Sequence, residues 1–289
     1  MAQAEEIKSQ IETMLRNIEG LPSFPSIVQK VLSMVSNPDA NFQELAQEIS
    51  RDPGLTAAII RLSNSAYYSP SREIRSVQEA IVTLGLRTVK DIVLVTTSKG
   101  ILKQKIEGYK LDASDLWDHS LLVAGLSARI AEKTGAVGPD VAFTAGLMHD
   151  VGKVVLASFF RKIYRKIDME MQENPQLRFT ELEKKHMGFT HGEVGAHLLK
   201  IWHFPKELIE AALFNYHPEK AKINPELTSI VHVANMIALS AGVGVDAGGM
   251  AEPLSKVALE KLRLKESDLQ QFYENLPELL EDLKAFREM

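Results

Sequence analysis

The sequence contains no cysteine among its 289 residues. Disulfide staples, thiolate metal sites and cysteine nucleophiles are excluded together, so any metal must be held by nitrogen and oxygen. Basic charge does not predominate either. Lysine and arginine number 33 against 38 acidic residues, a formal net charge of −5, with a pI near 6.0. That balance excludes a broadly basic surface, and no nucleic-acid partner is expected. No apolar run approaches the length of a membrane span, and the opening MAQAEEIKSQIETML reads as an exposed helix rather than a signal peptide. A cytoplasmic location without a membrane partner is expected. Glycine gathers in one stretch only, GVGVDAGGM at 242–250. It follows a helix and lacks the lysine and serine or threonine of a phosphate loop, so it reads as a flexible connector. Strand signals are nearly absent too. The β-branched run DIVLVTTS at 91–98 has no second alternating run to pair with, which assigns it to a buried helix.

What is present is helix punctuation. With 45% apolar and 25% charged positions, a chain of this length can bury a sizeable core, as one large domain or two smaller ones. FPSIVQKVLSMV sets Ile27, Val28, Val31, Leu32 and Val35 on one stripe behind Pro25, the spacing of an amphipathic helix. Asn41 with Glu44, Ser76 with Glu79, Thr180 with Glu183 and Thr190 with Glu193 repeat the capping-box start signal. Asp52 before Pro53 marks a further N-cap. The fold is predicted to be all-α. Apolar periodicity lapses in KQKIEGYKLDASD at 103–115, which divides the chain into expected helical subdomains of 1–112 and 113–289.

Chemistry concentrates after that boundary. In DLWDHSLLVAGLSARIAEK, His119 is in helical phase with Val123, Leu126 and Ile130 and points inward with them, and Asp115 lies one turn earlier on the same face. The apolar run VAFTAGLMH ends in His149 and Asp150. Burying an unpaired carboxylate there costs several kcal/mol, on the order of a domain's whole stability margin. Asp150 therefore needs a partner, either a cation such as Lys153 or a divalent metal shared with His119. His191 heads a capped helix and His217 stands just before Pro218 at the end of another, and helix ends are where side chains can converge. Four histidines and one carboxylate exceed what one tetrahedral ion requires, which leaves room for one or two ions. These ligands suit Fe, Mn, Ni or Zn without discriminating among them. His186, His197, His203 and His232 have no such context and read as surface, capping or core residues, and Met148 and Trp202 as core packing.

The ordered set of His119, then His149 with Asp150, resembles the HD superfamily of metal-dependent phosphohydrolases. HDVGK resembles its HD-GYP branch, in which a lysine accompanies the metal site. The amino-terminal half is more specific. Paired prolines, DPGLT, LSNSAYY and AIVTLG recur in order across LPSFPSIVQKVLSMVSNPDANFQELAQEISRDPGLTAAIIRLSNSAYY and IRSVQEAIVTLGLRTVKDIVLV. They resemble the HDOD family, HD-related output domains of bacterial signalling proteins, from about residue 15 to about 240.

That resemblance implies an all-helical fold, the second subdomain being HD-like, and a role in signal output that is often non-catalytic. Most HDOD members resemble HD domains without their metal ligands, whereas this chain has the HD pair. By similarity to the HD-GYP pattern, Asp115 matches the acidic residue one turn before the first histidine and His191 the histidine heading a later helix. His217 matches one of a further histidine pair, of which NYHPE holds a single member. The closing aspartate of the HD signature falls on Asn235, whose neutral amide would hold a metal less tightly, and the DGxGYP segment is absent. The preferred expectation is a metal-binding regulatory module acting through a signalling protein partner or a small nucleotide-like ligand. The alternative is a phosphohydrolase of nucleotides or phosphodiesters, with Asp150 and Lys153 catalytic: a metal would lower the pKa of bound water towards about 7 while Lys153 neutralises phosphate charge. A hydrogen-bonded histidine cluster without metal is the third. No receiver, kinase or diguanylate cyclase sequence accompanies these motifs, so the input is expected from a separate chain or ligand. LSNSAYYSPSREIRS at 62–76, with two tyrosines and two arginines, is the expected contact surface, core packing of Tyr67 being its alternative.

Overall fold

Cap residues set the helix starts. In the computed structural model, which describes residues 11, 13, 25–35, 41–68, 70–103, 115–174, 176–243 and 253–287, α1 (Ser26–Val35) follows Pro25 and buries Val28 and Val31. α2 (Phe42–Ser50) starts at Asn41, whose side chain accepts from the Gln43 and Glu44 N–H groups. α3 (Pro53–Ser63) has Asp52 accepting from the Leu55 N–H and proline at its first position, as its sequence predicts. α4 (Val77–Leu84) is capped by Ser76, while Glu79 reaches one residue further back than a capping box requires and accepts from the Arg75 N–H at 2.8 Å. Gly85, at φ 84°, turns the chain directly into α5 (Leu86–Leu102), a backbone conformation that favours glycine. DIVLVTTS lies inside α5, with Ile92, Val93, Leu94 and Val95 all buried. It lacks helical periodicity because neighbours cover it all round.

The second group opens with α6 (Asp115–Thr134) and α7 (Pro139–Met148). α8 (Val151–Phe159), α9 (Arg161–Glu173), α10 (Phe179–Met187), α11 (His191–Ile201) and α12 (Lys206–Phe214) follow. After a single 3₁₀ turn at Pro218–Lys220 comes α13 (Pro225–Ser240). Among the described residues four short helices follow: α14 (Lys256–Leu262), α15 (Glu266–Glu274), α16 (Leu276–Asp282) and α17 (Lys284–Arg287). No strand occurs among the described residues. None of their helices is long and apolar enough to cross a membrane. Residues 104–114, where the boundary was expected, and 244–250 of the glycine-rich stretch lie outside the described residues.

Helices α1–α5 pack chiefly on one another, and α5 also lies against α7. The tightest pairing joins α6 to α7, with α13 across both and α11 against α8 and α12. Gly146 makes the first possible: a β-carbon there would lie 2.7 Å from both Ser127 Oγ and the Val123 carbonyl oxygen. The chain's end returns to the junction. Leu279 and Leu283 fill the space beside Gly125, and the buried Phe286 ring meets Tyr67 and Tyr68 at 5.1 and 5.9 Å between centroids. The tyrosines of the expected contact surface are thus packed against the core, while Arg72 and Arg75 are exposed.

One start signal is corrected. α10 begins after Arg178 without a side-chain cap. Thr180 and Glu183 are both buried, and Glu183 faces inward with work other than capping.

Candidate metal centre

His149 and Asp150 occupy the two-residue turn between α7 and α8. An aspartate at an N-cap usually turns its carboxylate onto the following N–H groups. Asp150 makes no such bond, and its carboxylate points instead into the helix bundle. His119 reaches it from α6 with Nε2 3.8 Å from Oδ2, and His149 Nε2 stands 3.4 Å from the same oxygen. His191, first residue of α11, brings its Nε2 to 3.4 Å from Oδ1. Lys153 Nζ lies 2.7 Å from Oδ2. All five side chains are buried, none more than 1% exposed.

The three imidazoles are oriented alike. Each uses Nδ1 on an oxygen: His119 on the Val243 carbonyl at 3.0 Å, His149 on the Gly146 carbonyl at 2.7 Å, His191 on Glu183 Oε2 at 2.7 Å. Such acceptors require a donating Nδ1–H, which leaves the Nε2 atoms to face Asp150. Those three Nε2 atoms have no hydrogen-bond partner. Buried polar groups are rarely left so. The ligand atoms of His119, His149 and Asp150 lie within 4.8 Å of one another, and a divalent cation fits this donor set.

Burial and neighbouring charge set the electrostatics of the site. Burial pushes the Asp150 carboxyl up, but His149 and Lys153 outweigh it and hold it well below the usual carboxylate range. Burial, with His149 beside it, lowers His119 to about 4. Burial acts on His191 in the same sense, yet Glu183 and Asp150 raise it to about 9. Binding of a metal ion at its Nε2 would require that nitrogen to be unprotonated.

Other expected residues are placed differently. Asp115 opens α6 half-buried and is outside the three-residue ligand group. His217 is half-buried, its Nδ1 lies 3.4 Å from Glu219, and it lines an open groove with Thr190, Lys184 and Lys220. Asn235 is fully buried on α13, and neither atom of its amide has a partner. His232, read as structural, is so. Its Nδ1 donates to the Asn215 carbonyl at 2.7 Å and its Nε2 accepts the Ser255 N–H at 2.9 Å.

Two contributors escaped the sequence reading. Glu183 accepts from both the backbone N–H and Nδ1–H of His191, and from the Tyr164 hydroxyl at 2.8 Å. Its spacing from Thr180 imitates a cap and hides this role. Gly152 lets α8 meet α11 backbone to backbone, which brings Asp150 to His191. A glycine inside the HDVGK helix was the available signal.

Comparison with known proteins agrees with this architecture. Residues 21–218 match the HDOD domain. The chain belongs to the HDOD family. An HDOD domain protein of unknown function from Geobacter sulfurreducens shares the fold at a TM-score of 0.74 and 24% identity, over 96% of this chain and 99% of that one. A provisionally named phosphohydrolase from Shewanella amazonensis does so at 0.74 and 25%, over 95% and 97%. An uncharacterized protein of Treponema pallidum is 26% identical over 76% of this chain, which spans only 42% of that protein. The cyclic-di-AMP phosphodiesterase PgpH of Bacillus subtilis is 32% identical over 33% of this chain and 13% of its own length.

Proposed function

We propose that this protein is a metal-binding regulatory module of bacterial signalling, which holds a divalent first-row ion with His119, His149, Asp150 and His191 and acts through a protein partner or a small ligand. One observation carries the reading: three buried imidazoles, each fixed through Nδ1, turn unpartnered Nε2 atoms on one carboxylate. When bound, the ion supplies positive charge and Lewis acidity. Asp150 and the histidines orient it, Glu183 steadies His191, and Lys153 balances the carboxylate at Oδ2. Burial of every one of these side chains and the amide at Asn235 favour a regulatory over a hydrolytic role. A phosphodiester hydrolase is the second reading, favoured by the partial likeness to PgpH, with Asp150 and Lys153 then catalytic.

Elemental analysis of the purified protein tests the first reading. At least one transition-metal ion per chain is expected, lost on His149→Ala, together with a fall in melting temperature that chelation of wild type reproduces. Metal content unchanged by His149→Ala would sink the ligand assignment. Metal-dependent turnover of nucleotides, cyclic dinucleotides or an aryl phosphodiester, abolished by both His149→Ala and Lys153→Ala, would replace the first reading with the second.

A further inference from the structure

We propose that α7 couples occupation of the metal centre to the packing of α1–α5, so that an ion bound at one end of this helix tightens the junction along its side. The inference rests on the metal-binding reading above. Asp140, Thr144 and Met148 are four residues apart and share one face of α7. Each meets a different residue of α5. Lys90 Nζ lies 3.6 Å from Asp140 Oδ2, Thr144 Oγ1 lies 3.2 Å from Asp91 Oδ1, and Ser98 Oγ donates to Met148 Sδ at 3.4 Å. Lys90, Asp91, Ser98 and Thr144 are all buried. This polar ladder runs straight into the ligands, because Met148 is followed by His149 and Asp150.

The other face of α7 has no slack. Gly146 presses on the backbone of α6 with no room for a β-carbon, and α6 carries His119. A close-packed helix transmits a displacement rather than absorbing it. Drawing His149 and Asp150 onto an ion must therefore shift or stiffen the three contacts to α5, and linkage requires the effect to run both ways. A buried polar ladder that merely fixes helix register would share the distances and lack the linkage.

Hydrogen exchange of the full chain, with and without zinc, separates the two. Zinc is expected to slow amide exchange in α5 by about fivefold or more, besides protecting the metal-bearing helices. Asp91→Asn and Thr144→Val touch no ligand and preserve side-chain volume. Each, checked as folded by circular dichroism, is expected to weaken zinc binding by about fivefold or more and to abolish the protection of α5. Protection confined to α6, α8 and α11, with both folded variants binding zinc as tightly as wild type, would overturn the coupling and leave the metal site standing. A wild type that takes up none of iron, manganese, nickel or zinc would overturn both.

Discussion

Gly152 and the carbonyl oxygen of His191 stand closer than any side chain between them permits: a β-carbon on Gly152 would overlap that oxygen and lie 2.6 Å from the Gly195 nitrogen. The crossing of α8 and α11 is thus built from backbone on both sides. Gly152→Ala is expected to lower stability by about 3 kcal/mol, at the upper end of overpacking costs, and to part His191 from Asp150, measurable as loss of metal in the protein that remains folded. Gly100, on α5 with open space beside it, provides the contrast. Gly100→Ala should raise stability by roughly 0.5–1 kcal/mol through helix propensity alone, and denaturant midpoints of the two variants on opposite sides of wild type would establish that contact, not glycine content, decides.

Lys153 and Asp150 form a fully buried pair at 2.7 Å. Removing one partner of such a pair leaves an uncompensated charge and costs roughly 3–5 kcal/mol. Lys153→Met should pay that cost in chelator and recover most of it in excess zinc, since the ion compensates the same carboxylate. Equal destabilisation with and without zinc would count against a metal at Asp150.

His232 ties α14 to the bundle while uncharged. Burial lowers it to about 4, against an ordinary histidine near 6.5. Because the folded value lies below the unfolded one, the unfolded chain binds the extra proton between those limits, and this contribution to stability is present above about pH 6.5 and lost as the pH falls towards 4. Protonated Nε2 also ceases to accept the Ser255 N–H. Exchange protection of the Ser255 amide should therefore fall in that window before the amides of α6 are exposed. Protection of Ser255 unchanged down to pH 4 would show that the bond does not hold α14.

Asn235 buries an amide with nothing to bond, and Asn235→Asp puts a charge there at nearly the same volume. In chelator the variant should be less stable than wild type by roughly 3–5 kcal/mol, the cost of an uncompensated buried charge. With zinc the order should reverse, the new carboxylate adding a charged ligand. Thermal melts in both conditions test this, and a variant unresponsive to zinc would place Asn235 outside the metal's reach.

Much of this was written in the chain locally. The N-caps at Asn41, Asp52, Ser76 and Thr190 are short-range signals, so sequence suffices to read them. Of the candidate ligands, His119 was legible from its helical phase, His149 and Asp150 from the end of an apolar run, and His191 from its place at the head of a capped helix. Glu183 was not. Its partner is eight residues away across a turn, and a capping pattern with Thr180 offered a simpler account of the same spacing. His217 read well as a helix-end histidine, yet the 3₁₀ turn at Pro218–Lys220 leaves it beside Glu219 and the open groove. Gly152 is a tertiary matter: nothing within its own helix says that another backbone will cross there.

The enclosure of the proposed metal centre has a kinetic meaning as well. No ligand atom reaches solvent, so a bound ion can leave only as fast as the surrounding helices part, whatever its equilibrium affinity. Such a centre responds over the lifetime of its own local openings. It would keep a record of the metal available when the chain folded, rather than follow concentration from moment to moment.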